Sequence, residues 1–397
     1  MLALRRARMA ASPAFLRGGF RPFFLGGAAW AVAALTLWLL SLTSVLVLPS
    51  AFDPLAWHRH EMIFGFVGAV VAGFLLTAIP NWTGRLPIAG LPLAGLFSLW
   101  LAGRFALLFS LSIGILPAAI LDAGFYLVLA GFAAREVLEG KNRNLPIVGL
   151  VFLFGLANAF DYLAASGVVD DASLPWKTAL SLVIIMISLI GGRIIPSFTR
   201  NWLMKRGIRE SLPGQPDRFD LIAIGVTAFA LFTWLLAPAG EFPASVLMVA
   251  AALQFLRLIR WKGWKTLADP LVLILHVGFL WVPVGLGLLA LSQVNASVPQ
   301  SAAVHALTAG AMATMILAVM TRATLGHTGR ELRAGPATAL IYIFVTAGAV
   351  LRVAAGFGAI EYRLGLEVAG GLWMSAFVLF LFVYGPILVR PRLGEQI

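Results

Sequence analysis

Long apolar runs separated by short polar breaks recur from one end of this chain to the other. They cover residues 23–43, 61–81, 90–110, 115–135, 146–167, 176–196, 219–238, 243–260, 269–291, 302–322, 336–357 and 364–389. Each holds about 20 residues with few charges, the length an α-helix needs to cross a hydrocarbon core of about 30 Å. The pattern predicts an all-α polytopic membrane protein with twelve transmembrane helices, read as a single integral membrane domain over residues 1–397.

The polar punctuation has an order of its own. Pro22, Pro146 and Pro270 open the first, fifth and ninth runs at a spacing of 124 residues, and proline is tolerated in the first turn of a helix. Residues 60–85 begin with His60 and end Thr83-Gly84-Arg85; residues 305–330 begin with His305 and end Thr328-Gly329-Arg330, at a constant offset of 245. Ile79-Pro80-Asn81-Trp82-Thr83 echoes Ile195-Pro196-Ser197-Phe198-Thr199 at an offset of 116, where Trp176 stands in the place of a third histidine. These echoes predict three four-helix repeats, 20–143, 144–267 and 268–397. By analogy this arrangement resembles the haem–copper oxidase core, which transfers no activity.

Composition agrees with the runs: 60% of residues are hydrophobic and 12% charged. The chain has no cysteine, which excludes disulfides, thiolate metal sites and iron–sulfur clusters. A metal would need nitrogen, oxygen or thioether ligands. The net charge of +12 does not point to nucleic acid, because its distribution follows the loops. Arg5, Arg6, Arg8, Arg17, Arg85, Arg135, Lys205, Arg206, Lys262, Arg330 and Arg390 fall on one side of the predicted spans, and only Arg59, Lys177 and Arg363 on the other. The asymmetry predicts both termini in the cytoplasm and contact of the basic face with anionic membrane lipids. The longest polar stretch, 199–218, reads as a cytoplasmic loop with a solvated charge run.

Candidate chemistry is confined to a few positions. The chain has five histidines. His58, His60 and His305 fall near one end of their spans, and Arg104, Arg352, Asp122, Asp161 and Glu367 lie in the same half. Charged side chains in a bilayer face a partner or a cavity. Two readings stay open for Arg104 and Arg352: structural pairing with Asp122, Asp161 or Glu367, or contact with the propionates of a haem, whose carboxylates suit planar guanidinium donors. His60 and His305 are candidates for axial haem ligands or for interhelical hydrogen bonds. His58 and His60 diverge on a helix, so one of them points into the bundle and the other elsewhere. His276, flanked by leucine and valine inside the ninth span, and His327, at the end of the tenth, are candidates for copper or a proton relay, with the Met320 thioether nearby in sequence.

Gly19-Phe20-Arg21-Pro22, Trp57-His58-Arg59-His60-Glu61-Met62, Pro80-Asn81-Trp82-Thr83-Gly84-Arg85, Leu275-His276-Val277-Gly278 and Gly326-His327-Thr328-Gly329-Arg330 together resemble the NnrS family of bacterial membrane proteins. The resemblance covers essentially the whole chain. It implies a protein of the bacterial inner membrane that contains haem and copper, linked to nitric oxide metabolism and resistance to nitrosative stress. The resemblance does not assign ligands residue by residue; the placement of the residues makes His60 and His305 the candidates to hold haem b, with Arg104 and Arg352 for its propionates, and His58, His276 and His327 the candidates for copper or a second centre. Nitric oxide is the expected small-molecule ligand, and the electron donor stays open. Redox chemistry at a metal centre, delivery of haem or copper to another enzyme, and a cofactor-free twelve-helix transporter are the competing activities. The topology has a direct check. A reporter joined after Ile397 is expected to be active only as a cytoplasmic fusion, and activity of a reporter that folds only outside the cytoplasm would contradict the charge asymmetry.

Overall fold

The computed structural model describes residues 11–394. Arg5, Arg6 and Arg8, counted above, lie outside them. Among the described residues, twelve helices are long and apolar enough to cross a membrane: α1 (Phe20–Leu42), α2 (Pro54–Thr83), α3 (Leu91–Leu108), α4 (Ile115–Glu139), α5 (Leu145–Ala165), α6 (Leu174–Lys205), α7 (Arg218–Leu236), α8 (Glu241–Arg260), α9 (Pro270–Ser292), α10 (Gln300–His327), α11 (Pro336–Gly356) and α12 (Tyr362–Val389). The chain is a multi-pass all-helical membrane protein.

Helix starts follow local chemistry. Asp53 caps α2, its carboxylate accepting from the Leu55 and Ala56 amides at 3.0 Å each, with Pro54 in the first turn. Asp269 caps α9 by accepting from the Leu271 amide at 2.9 Å, with Pro270 in the first turn. Asp217 caps α7 through a reciprocal box with Asp220, and its bond to Arg260 holds its carboxyl below the usual carboxylate range. Pro22 and Pro146 fall in the first turns of α1 and α5.

Two boundaries differ from the apolar runs. Helix α2 starts at Pro54, seven residues ahead of its run, because the Asp53–Pro54 start signal precedes two polar turns that hydropathy alone does not count. Helix α6 runs on to Lys205, so Thr199–Lys205 is helix and not loop: no glycine or proline interrupts that segment, and the helix gives way just before Gly207, at φ +78°.

The histidine-headed helices share a departure from α-geometry. Glu61–Val67, just after His60, and Ala306–Met312, just after His305, wind as π-helix, at the same offset of 245. A π turn holds one more residue than an α turn and displaces carbonyls from their usual donors. Side chains of the neighbouring helices reach the displaced groups after His60: the Trp100 indole donates to the Gly65 carbonyl at 3.0 Å, and the Tyr126 hydroxyl to that of Phe64. Both copies end alike. Thr83 and Thr328 return their hydroxyls to the carbonyls of Ile79 and Thr324, and Gly84 and Gly329 take left-handed φ of +67° and +74°, which only glycine adopts without strain.

The described chain divides into two compact units. One comprises Met1–Leu182, Ala323–Arg330 and Leu381–Ile397; the other comprises Val183–Arg322 and Glu331–Phe380. In the first, α1 packs on α2 where Gly27 meets Ala69 and Gly73 meets Phe24, and α3 lies against α4 where Gly103 meets Asp122. In the second, α9 packs on α10 through Gly278 against Met315 and Gly285 against Leu307. Small residues bring the axes together where lipid provides no hydrophobic drive between helices.

Replacing Asp53 with alanine is expected to lower stability by about 1 kcal/mol through loss of the carboxylate oxygen that accepts from two amides at the start of α2. Thermal unfolding in detergent measures it, and an unchanged midpoint would contradict the capping role.

Candidate functional site

In the first unit, α1 to α5 enclose a chain of buried ionic groups. Helix α2 brings His60 and Glu61, α3 brings Arg104, α4 brings Asp122, and α5 brings Asn158, Asp161 and Tyr162; His60, Glu61, Arg104 and Asn158 have no exposed surface at all. The His60 ring sits between two carboxylates, with Nδ1 2.7 Å from Asp161 Oδ2 and Nε2 2.8 Å from Asp122 Oδ2. The same Asp122 oxygen accepts from Asn158 Nδ2 and the Tyr162 hydroxyl, each at 3.1 Å. Its other oxygen accepts from Arg104 Nη2. Arg104 Nη1 then reaches Glu61 Oε2 at 2.6 Å, where the Trp30 indole also donates at 2.6 Å.

Each close N···O contact at His60 needs one proton. The Asp122–His60–Asp161 unit therefore holds two protons between a ring and two acids, as an imidazolium or with one acid neutral. Rings seal the imidazole: the centres of Phe64, Tyr162 and Phe52 lie 4.8, 5.1 and 5.3 Å away. Gly65 makes room for the arginine, since a methyl group there would stand 2.8 Å from Arg104 Nη1 and from Trp30 Nε1.

His58 and His60 diverge as their spacing predicts. The His58 ring stacks on Trp38 of α1 at 4.1 Å, while His60 turns to α4 and α5. Trp176, in the place of a third histidine, has the Arg59 guanidinium 5.4 Å from its ring centre. His327 is exposed and lies 5.5 Å from the Phe20 ring.

The second unit holds His276, His305 and Arg352. His305 Nδ1 lies 2.7 Å from the Ser301 carbonyl, which only accepts, so that nitrogen carries the proton. Nε2 is then the unprotonated nitrogen, and no hydrogen bond engages it among the described residues. Arg352 is the charged neighbour acting on His305. Its guanidinium stands 6.0 Å from the Tyr362 ring centre, and its Nη1 is buried without a hydrogen-bond partner. Glu367, one of the acids considered for Arg352, instead accepts from Arg363 at 3.0 Å on the exposed side of α12.

His276 is buried on α9. Thr199 gives its hydroxyl proton to the Ile195 carbonyl at 2.9 Å and accepts from His276 Nε2 at 2.8 Å. Nδ1 is left unprotonated, buried and without a partner, against the backbone of Gly263.

These environments test the residues against a haem. An axial imidazole needs a free unprotonated nitrogen and gains from a carbonyl or carboxylate holding its other N–H. His305 has both features, and Arg352 has an unspent donor for a carboxylate. As they stand in this structure, His60 has both nitrogens on carboxylates, and Arg104 has both Nη groups on carboxylates with only its Nε unpartnered. His60, Asp122 and Asp161 are spent on one another, and no group of three or more His, Asp or Glu side chains among the described residues has the arrangement to hold a metal ion.

Asn158, Tyr162, Tyr126 and Trp30 escape sequence reasoning, although Asn158, Asp161 and Tyr162 share one face of α5 at helical spacing. So does a second buried network. Arg257 donates to Asp220 at 2.8 Å, to Ser188 Oγ at 2.8 Å and to Gln254 at 2.9 Å, with Gln254 and Arg257 one turn apart on α8.

Replacing Arg104 with methionine is expected to cost about 3–5 kcal/mol, because it strands two buried carboxylates. Lysine should recover only part of that loss, since one ammonium lacks the fork that spans Glu61 and Asp122. Equal stability of the methionine variant and the parent in detergent unfolding would refute the bridging role.

The model of one protein family, described as NnrS protein, matches residues 14–392 of the chain. No curated protein matches it.

Proposed function

The chain belongs to the NnrS family, and from that premise we propose that it is a haem-binding protein of the bacterial inner membrane acting in nitric oxide metabolism or resistance to nitrosative stress, with both termini cytoplasmic. The observation that carries this reading is the environment of His305: an imidazole with its Nδ1–H held by the Ser301 carbonyl, its Nε2 uncommitted, and the unspent Nη1 of Arg352 in its neighbourhood. The Ser301 carbonyl sets the tautomer and the ring orientation from four residues back on the same helix. Arg352 supplies a cation for a propionate. A bound haem b contributes an iron centre at which a diatomic such as nitric oxide coordinates and redox chemistry becomes available.

Copper is the second part of the proposal. Buried His276 offers an unprotonated Nδ1, and the Thr199 hydroxyl fixes its tautomer as Ser301 fixes that of His305. His58, in its stack on Trp38, and exposed His327 are the remaining nitrogen donors for such a centre.

The buried charges of the first unit favour a second reading, a cofactor-free transporter in which ionic groups line a substrate or proton path. The two readings part in the spectrum of the purified protein. Expression with adequate haem should give a Soret band that shifts on addition of nitric oxide, with copper found by metal analysis. A protein that purifies folded and colourless would favour the transporter. Arg352→Gln is expected to retain its fold and to lose haem faster during dialysis.

A further inference from the structure

Helices α2 and α10 are two copies of one element. Each begins with a histidine, continues into a seven-residue π-helical segment with glycine at its fifth position, and ends in Thr-Gly-Arg around a left-handed glycine. Their surroundings differ in sign. Glu61, which accepts from Arg104, is matched at the same offset of 245 by Ala306. Asp122, the acid between Arg104 and His60, is matched by Glu367, which turns outward to Arg363. Arg352, 248 residues after Arg104, has no carboxylate within hydrogen-bonding distance among the described residues. In the first copy every ionic group is paired with one of opposite charge, although Glu61 Oε1 and Arg104 Nε are buried without a partner of their own. In the second copy one acid is replaced by alanine and the other turns away, and His305 Nε2 and Arg352 Nη1 are left without a partner among the described residues.

We propose that the two copies have parted roles: His60 is the pin of an ion cluster, and His305 would be the sole protein side chain to hold the iron of a bound haem, which would leave that iron free to take a small neutral diatomic. The inference rests on the haem reading above. For His60 to reach iron, one of its nitrogens has to abandon a carboxylate: Asp122, already shared among Arg104, Asn158 and Tyr162 and almost without exposed surface, or Asp161, which is itself largely buried. His305 needs no such exchange. It is already in the tautomer that presents Nε2, it is only half-buried, and its charged neighbour is a cation.

The test uses the full-length haem-loaded protein in detergent, read by electron paramagnetic resonance and magnetic circular dichroism of the ferric form, and by haem per protein. Wild type should give the high-spin signature of a single imidazole. His305→Gly should lower haem occupancy about tenfold or more, with added imidazole restoring both occupancy and spectrum. His60→Gln should keep haem occupancy within about twofold and leave the spin state unchanged, while unfolding at a lower temperature. A low-spin bis-imidazole signature in wild type overturns the proposal, and this outcome needs no variant to fold. So does a folded His60→Gln protein that loses haem or changes spin state. Absence of haem from wild type overturns the underlying haem reading, and this inference with it.

Discussion

Arg104 is the group on which the first unit turns. A guanidinium with no exposed surface, inside a helix that crosses a membrane, is tolerable only where its charge is met at bonding distance. It is met twice, by Glu61 of α2 and Asp122 of α4. Because Asp122 also accepts from Tyr162 and Asn158 and holds one side of His60, the requirement passes on to α5. Four helices are thereby fixed in register by one demand, that no buried ion be left alone. Trp30 carries the same demand to α1. Apolar packing in lipid is indifferent to small rotations of a helix; an ion network is not, because a turn of one helix by a single residue would strand several charges at once.

The π-helical segments belong to the same constraint. Widening the turn after His60 brings Glu61 to Arg104 while the displaced carbonyls of Phe64 and Gly65 find donors in Tyr126 and Trp100. Gly65 leaves the space that the guanidinium occupies. The equivalent segment after His305 keeps the same backbone with a different neighbour: Gly310 lies against the Trp281 ring. One backbone irregularity thus serves two ends, a closed electrostatic knot in one copy and an imidazole with an open nitrogen in the other. What separates them is side-chain substitution at a few matched positions and not a difference in fold.

Much of this is legible in the sequence. The twelve spans follow from apolar length, and their starts from Asp53–Pro54, Asp269–Pro270 and the prolines of α1 and α5. The matched histidines and the Thr-Gly-Arg ends were visible as a constant offset, and the divergence of His58 from His60 followed from helical geometry. Partner choice was not legible. Arg104 and Arg352 look alike in sequence, each inside an apolar run with acids elsewhere in the same half, yet one is bound to two carboxylates and the other to none. Asn158, Tyr162 and Gln254 gave no signal, because a polar residue in an apolar helix does not announce which neighbouring helix will supply its partner.

The sequence by itself determined what depends on local composition and spacing: the number of the helices and the caps at several of their starts, the repeated element, and the gathering of His60, His305, Arg104 and Arg352 in one half of the spans. The tertiary structure alone decided how those groups are used. Hydropathy and caps act over one or two turns of chain, so they can be read along it. An ion pair joins residues 18, 43, 62 or 101 positions apart, and whether a given imidazole is enclosed by carboxylates or left beside a cation depends on which helix faces lie together. That is a property of packing in three dimensions, and it is what separates His60 from His305.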